Sequence, residues 1–345
     1  MPNSGSGPLI VVGLWRSGTS LLYSLLNQHS EIALLYEGDL FLLRSRFRPG
    51  NEGDWRGRWE FWNSALSRHN IDTAEVPATV PDFATAATSV WKQYAGDAVV
   101  WGEKSPDYYD CMETLAREFP GARFLVIWRD LADTCRSIVR ARAGSTFFSK
   151  PGLLHRAIIG HHKLKQQCDL LLAQAIPVHQ IHYEELIQDP EQVMAGVCDF
   201  LGLAFEPRMA SLRGADRSAI YKGSHHEQVK SEGIVSDRRK DEVLPENVKS
   251  KIERYVNYWH RRYAGTWPRY PKMLKESTAF PSLLERCGDE ILFRILRMVD
   301  GVTQAVYCYA PYRALERYRS AKARRHAQTA TESVPEQSPA ENVPS

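Results

Sequence analysis

The sequence predicts an α/β fold of three layers, P-loop-like, with helices on both faces of a central parallel sheet and a helical appendage at its C-terminal end. Three observations predict it. The continuously apolar run Leu9-Ile10-Val11-Val12 is followed by the glycine-bounded Gly13-Leu14-Trp15-Arg16-Ser17-Gly18-Thr19-Ser20, and then by a helical pattern with Leu22, Leu25 and Leu26 on one face, so strand, loop and helix follow one another. Short apolar runs then alternate with helix-length segments up to residue 263, as in a parallel sheet covered on both sides. After a break at Gly265-Thr266-Trp267-Pro268, one more periodic segment stands outside that alternation.

Taken in order, Leu9–Val12 reads as a strand buried on both faces, and the first helix runs over about 18–28. A polar turn leads to a second apolar run, Ile32–Tyr36, which ends in two carboxylates around a glycine, Glu37-Gly38-Asp39. Six arginines between 44 and 68 are interleaved with Trp55, Trp59, Phe61 and Trp62. The tryptophans suit one face of a helix that buries them; a pocket wall meeting a sugar or an anion is the sharper alternative. Residues 73–88 read as loop, 89–94 as helix, and Val99-Val100-Trp101 as a short strand leading into Gly102-Glu103-Lys104-Ser105-Pro106. A helix over 112–119 stops at Pro120-Gly121, and Arg123–Trp128 is the most strand-like segment of the chain. Asp130 is a good N-cap for a helix to about Arg142. Helix 155–174, strand Val178–His182, helix Pro190–Leu201 closed by Gly202, loop 210–244 and helix 245–263 complete the alternation.

Beyond the break, Leu283, Leu284, Cys287, Ile291, Leu292, Ile295, Met298, Val299 and Val302 recur at intervals of three and four, up to Pro311. That is an amphipathic helix. Residues 312–326 carry six Lys/Arg against one Glu, and the rest is a disordered tail by composition. The domain boundaries are therefore 1–270, 278–326 and 327–345.

At 345 residues the chain can bury a large core. With 43% apolar and 25% charged residues it is ordinary for a soluble globular protein, and a net charge of +3 is too weak to argue for nucleic acid. Cys111, Cys135, Cys168, Cys198, Cys287 and Cys308 are scattered without a C-x-x-C pair, which suits reduced thiols in a cytoplasmic protein. Residues 1–8 are small and polar, unlike a signal peptide, and no run approaches the roughly 20 apolar residues of a membrane span.

The loop carries the chemistry. Its backbone N–H groups converge on one point and the helix start adds partial positive charge, so phosphate binds there. The spacing from Gly13 to Gly18 is that of a P-loop, but Thr19 stands where lysine is needed and the cation has moved to Arg16. This disfavours an ATPase or kinase, which uses that lysine and Mg²⁺. A second anion clamp lies where Ile127-Trp128-Arg129 leaves the sheet, on the side where open α/β sheets bind ligands. Two separated clamps imply a ligand with two anionic groups. His155, His161 and His162 are better read as solvated helix histidines than as a metal site, and no metal is required.

In this pattern the chain resembles the sulfotransferases that use 3′-phosphoadenosine 5′-phosphosulfate (PAPS). Residues 13–22 resemble their 5′-phosphosulfate loop. Trp128-Arg129-Asp130 with Ser137 resembles their 3′-phosphate motif, and Ile181-His182-Tyr183-Glu184-Glu185-Leu186 with Asp189-Pro190 resembles the next block. The branch with Arg-Ser-Gly-Thr loops, which includes tyrosylprotein and bacterial enzymes, is the most similar. The resemblance covers about residues 8–263. It implies that Arg16, Ser17, Gly18, Thr19 and Ser20 hold the phosphosulfate, and that Arg129, Ser137 and Tyr183 hold the nucleotide. Glu37, twenty-one residues after Arg16, is implied as the general base, with Asp39 its nearest competitor. Lys104, with Arg16, is implied as the group that neutralises charge on the leaving oxygen. Arg238, Arg239 and Lys240 sit where the family closes a basic flap, and Arg140 and Arg142 flank the place of a further arginine.

The function so predicted is sulfuryl transfer from PAPS to a hydroxyl of a glycan, glycolipid or other small acceptor by in-line displacement, in a cytoplasmic enzyme. The alternatives are a nucleotide-dependent kinase or NTPase on a P-loop scaffold, and a non-catalytic module that binds an anion or a membrane. For the amphipathic helix the plainer reading is packing on the domain or in a homodimer interface. The other is peripheral contact of 283–326 with an anionic membrane.

Overall fold

The structure, a computed structural model, describes residues 7–46, 64–72, 75–76, 80–220, 234, 243–268 and 279–309, with 314, 317 and 320–321. Strand β1 (Leu9–Val12) is followed by helix α1 (Thr19–Leu26), strand β2 (Ile32–Tyr36), a 3₁₀ turn at Leu40–Arg46 and the short helix α2 (Ser64–Arg68). Helix α3 (Phe83–Ala95), strand β3 (Val100–Lys104), helix α4 (Met112–Glu118), strand β4 (Arg123–Trp128), helix α5 (Leu131–Ala141) and helix α6 (Leu153–Ala173) come next. Strand β5 (Val178–His182), helix α7 (Tyr183–Gln188), helix α8 (Pro190–Leu201), helix α9 (Glu246–Tyr263) and helix α10 (Leu283–Tyr309) follow.

The five strands form one parallel sheet in the order β2-β3-β1-β4-β5. Alternation along β1 explains its unbroken apolar run: Ile10 and Val12 face the core layer that contains Trp128, Leu164 and Trp259, while Leu9 and Val11 face the layer with Leu22, Leu25 and Val197. Because β1 pairs with both β3 and β4, the chain turns to opposite sides of the sheet from these central strands. Their carboxyl ends form the switch crevice in which such sheets bind ligands.

Three departures from the sequence reading have local causes. Helix α3 begins at Phe83, inside the predicted loop, because the Asp82 carboxylate accepts a hydrogen bond from the Thr85 N–H at 2.8 Å while Phe83, Ala86, Ala87, Val90 and Trp91 form a buried stripe. Strand β3 runs through Lys104 rather than ending near Trp101. It can do so because Gly102 adopts φ 146° where a Cβ would overlap the Leu9 carbonyl. Helix α7 occupies the block at 183–186, where no helix was expected. The five described cysteines carry free thiols, and no described helix is long and apolar enough to cross a membrane.

Helix α10 packs on the domain, the first of the two plainer readings, and it does so through its charged face rather than its apolar one. Asp289 accepts from Lys251 Nζ at 2.6 Å and Tyr255 Oη at 2.5 Å, Asp300 from Arg156 at 2.7 Å, Glu290 from Lys163 at 2.9 Å and Glu285 from Arg254 at 2.7 Å. Phe293 is buried among these contacts, whereas Leu284, Ile291 and Met298 are 84%, 58% and 61% exposed. The tryptophan-rich stretch at 47–63, His225-His226, the Arg238-Arg239-Lys240 group and the boundary at 270–278 lie outside the described residues.

Candidate active site

Register brings the site together. Val11 of β1 and Tyr36 of β2 both pair with Lys104 of β3, and Trp128 of β4 pairs with His182 of β5. The loops after the strands therefore leave the sheet on one side. The loop between β1 and α1 turns tightly, with the Ser17 N–H donating to the Leu14 carbonyl at 3.1 Å. Arg16 takes φ 69° and Gly18 φ 99°, backbone conformations that side chains disfavour and that cluster at functional loops. Gly18 is required by contact as well as by φ, since a Cβ there would overlap the Tyr183 ring.

Around that loop two groups of side chains meet. In the first, Arg16 Nε donates to Ser137 Oγ at 3.0 Å and Arg129 Nη1 donates to the Arg16 carbonyl at 2.8 Å. The Arg129 guanidinium lies 4.2 Å from the Tyr183 ring centroid. Arg16, Arg129, Ser137 and Tyr183 thus line the β1/β4 crevice, where the two loops meet. Asp130 caps α5 by accepting from the Asp133 N–H at 3.0 Å, and its own N–H donates to Glu184 at 2.8 Å. Those two bonds fix the turn that carries Arg129. Ser17 Oγ and Arg129 Nε are buried polar atoms with no hydrogen-bond partner among the described residues. Buried donors normally have partners, so a ligand whose anionic groups accept from them suits this crevice.

The second group lies at the ends of β2 and β3. Lys104 is fully buried and donates to Glu37 Oε1 at 2.5 Å, while its ammonium also lies 4.3 Å from the Tyr36 ring centroid. The Glu37 N–H donates to the Lys104 carbonyl at 2.8 Å, so backbone and side chain hold the same pair. Ser20, at the start of α1, shares a 2.7 Å hydrogen bond with Tyr36 Oη and lies 3.5 Å from Lys104 Nζ. Thr19 is buried at the first turn of that helix. Glu37 and Asp39 have φ 48° and 50°. Asp39 does not occupy Glu37's place: it accepts from Ser105 Oγ at 2.5 Å. Arg140 and Arg142 lie at the end of α5 and just beyond it.

Burial dominates the electrostatics here. Glu103 is pushed up to about 8 by burial and then by the neighbouring Asp39 charge, and it accepts a hydrogen bond from Tyr108 Oη. Burial, followed by the charges of Asp107 and Glu37, raises Asp39 to about 7. Lys104 is lowered by burial, against which Glu37 acts most strongly. The sequence reading missed Tyr36, Ser105, Glu103 and Glu184. Tyr36 and Ser105 are direct neighbours of Glu37 and Lys104 in the chain, and that adjacency was the available signal.

The helix histidines are not solvated as predicted. His161 is 2% exposed, stands 3.4 Å from the Arg129 carbonyl through Nε2, and is lowered to about 3 by burial. His162 stacks on Trp259 with centroids 5.4 Å apart. They belong to an aromatic cluster with Trp267 that backs the Arg129 turn.

The family model described as the sulfotransferase family matches residues 8–207. A Caenorhabditis briggsae protein whose name ascribes protein-tyrosine sulfotransferase activity to it is 25% identical over 247 residues, which are 71% of this chain and 77% of that protein. The sulfotransferase domain from the curacin biosynthetic pathway superposes with a TM-score of 0.54 at 22% identity, over 73% of this chain and 97% of that one. The sulfotransferase domain of the Synechococcus PCC 7002 olefin synthase does so with a TM-score of 0.50 at 19% identity, over 69% and 88%. The two structural likenesses are likenesses of fold.

Proposed function

The chain belongs to the sulfotransferase family, and from that premise we propose that it carries the sulfuryl group of PAPS to a hydroxyl of a glycan, glycolipid or other small acceptor. The observation that carries this reading is the Glu37–Lys104 pair, seated beside the glycine loop at the carboxyl ends of β1, β2 and β3.

When bound, PAPS supplies an activated sulfuryl group and a bisphosphate leaving group; no metal enters this reading. The loop N–H groups of Ser17, Gly18, Thr19 and Ser20, with Arg16, would hold the phosphosulfate, and Arg129, Ser137 and Tyr183 the 3′-phosphate and nucleotide. The buried donors Ser17 Oγ and Arg129 Nε fit these two roles. Glu37 takes the proton of the acceptor hydroxyl, and its bond from Lys104 fixes the carboxylate's position for that transfer. Lys104 and Arg16 neutralise charge on the departing oxygen, the kind of preorganised stabilisation that group transfer of this type depends on.

Transfer of ³⁵S from labelled PAPS across a panel of sugars, lipids and phenols identifies the acceptor. Glu37→Gln keeps an acceptor for Lys104 but removes the base, so turnover should fall roughly 10²- to 10⁴-fold while calorimetric binding of 3′-phosphoadenosine 5′-phosphate is retained. Unchanged turnover would remove Glu37 from its role. Tight binding of ATP/Mg²⁺ with none of the bisphosphate would instead favour a kinase or NTPase.

A further inference from the structure

Helix α10 exposes the face that a soluble helix normally hides. Every acidic residue between 283 and 302, namely Glu285, Asp289, Glu290 and Asp300, pairs with a basic residue of the domain. Arg297 is turned inward as well, meeting Asp110 through two nitrogens at 2.8 and 2.9 Å. What remains outside is a stripe of Leu284, Ile291, Ile295, Met298 and Val302, between 46% and 84% exposed, at intervals of three, four and seven along one face. Among the described residues the charge that borders this face is Arg294, which itself pairs with Glu290 at 3.1 Å. The stripe spans about 30 Å along the helix axis. An exposed apolar stretch of this extent marks an interaction surface.

Charge decides what it meets. The outer face is apolar, the helix's carboxylates are paired on its other side, and the sequence that follows at 312–326 carries six Lys/Arg against one Glu. A second copy would bring more of the same positive charge. An anionic lipid surface complements both the apolar stripe and the positive charge. We propose that the outward face of α10 lies in the interface of an anionic lipid bilayer, holding the catalytic domain against the membrane without spanning it.

Flotation of the full chain with phosphatidylcholine/phosphatidylglycerol vesicles, compared with pure phosphatidylcholine vesicles, tests this independently of any enzymatic activity. The chain should float with the anionic vesicles only and be released by NaCl. The triple variant Ile291→Asp, Ile295→Asp, Met298→Asp should lower the bound fraction about tenfold or more at an unchanged thermal midpoint. The charge-neutral pair Ile295→Ser and Met298→Ser should weaken binding in the same direction. A folded chain that floats with neither vesicle overturns the proposal, as does binding that both variants leave intact. A homodimer seen by light scattering and dissociated by the triple variant also overturns it, in favour of a second copy.

Discussion

At the scale of single residues, the site couples buried carboxylates to one buried lysine. Glu103 illustrates the cost of that arrangement. In the folded chain it keeps its proton to about pH 8, whereas the ordinary glutamate value is 4.5. Between those two values the folded state binds the extra proton, so stability falls as pH rises through the window and levels off above it. Glu103→Gln should therefore flatten the curve: urea midpoints measured from about pH 5 to about pH 8 should drop less in the variant than in the natural chain. Asp39, raised to about 7 by its own burial, keeps some slope in the variant. Parallel curves would show that Glu103 is ionised in the folded protein. Tyr36 belongs to this scale too, since its hydroxyl meets Ser20 while its ring faces the Lys104 ammonium.

At the scale of elements, α6 ties the appended helix to the glycine loop. The Arg156 guanidinium lies 4.9 Å from the Trp15 ring centroid on one side and pairs with Asp300 of α10 on the other. Asp289 is the central anchor of that docking, 8% exposed and bonded to Lys251 and Tyr255 of α9. Asp289→Ala removes the acceptor that both donors share at a buried contact. Urea denaturation should register a loss of roughly 2 kcal/mol, the scale of a hydrogen bond to a charged group. A change within experimental error would mean that α10 is held by Phe293 and the outer ion pairs instead.

At the scale of the whole molecule, the crevice between β1 and β4 joins loops from strands far apart in the chain, so a ligand that bridges them binds only the folded state. Saturating 3′-phosphoadenosine 5′-phosphate should raise the thermal midpoint, with a stabilisation of about 2.7 kcal/mol at a hundredfold excess over its dissociation constant. ATP with Mg²⁺ should raise it less. An equal shift from both ligands would show that the crevice does not read the 3′-phosphate.

The sequence by itself determined the layered α/β class, four of the five strands close to their ends, and the glycine loop. Each of these rests on local information: an apolar run of strand length, a helix cap such as Asp130, a fixed spacing between Gly13 and Gly18. Pro77 and Pro81 give 73–88 the composition of a loop, and the Asp82 cap that starts α3 lies inside it. Only the tertiary structure decided that Arg16 reaches Ser137 across 121 residues and that Lys104 meets Glu37 across 67. It also decided which way α10 faces. Periodicity of three and four specifies that a helix has two faces, but which one turns inward depends on the partners it meets. Here Lys251, Arg156, Lys163 and Arg254 offer ion pairs to the polar face, and those non-local charges left the apolar face outside.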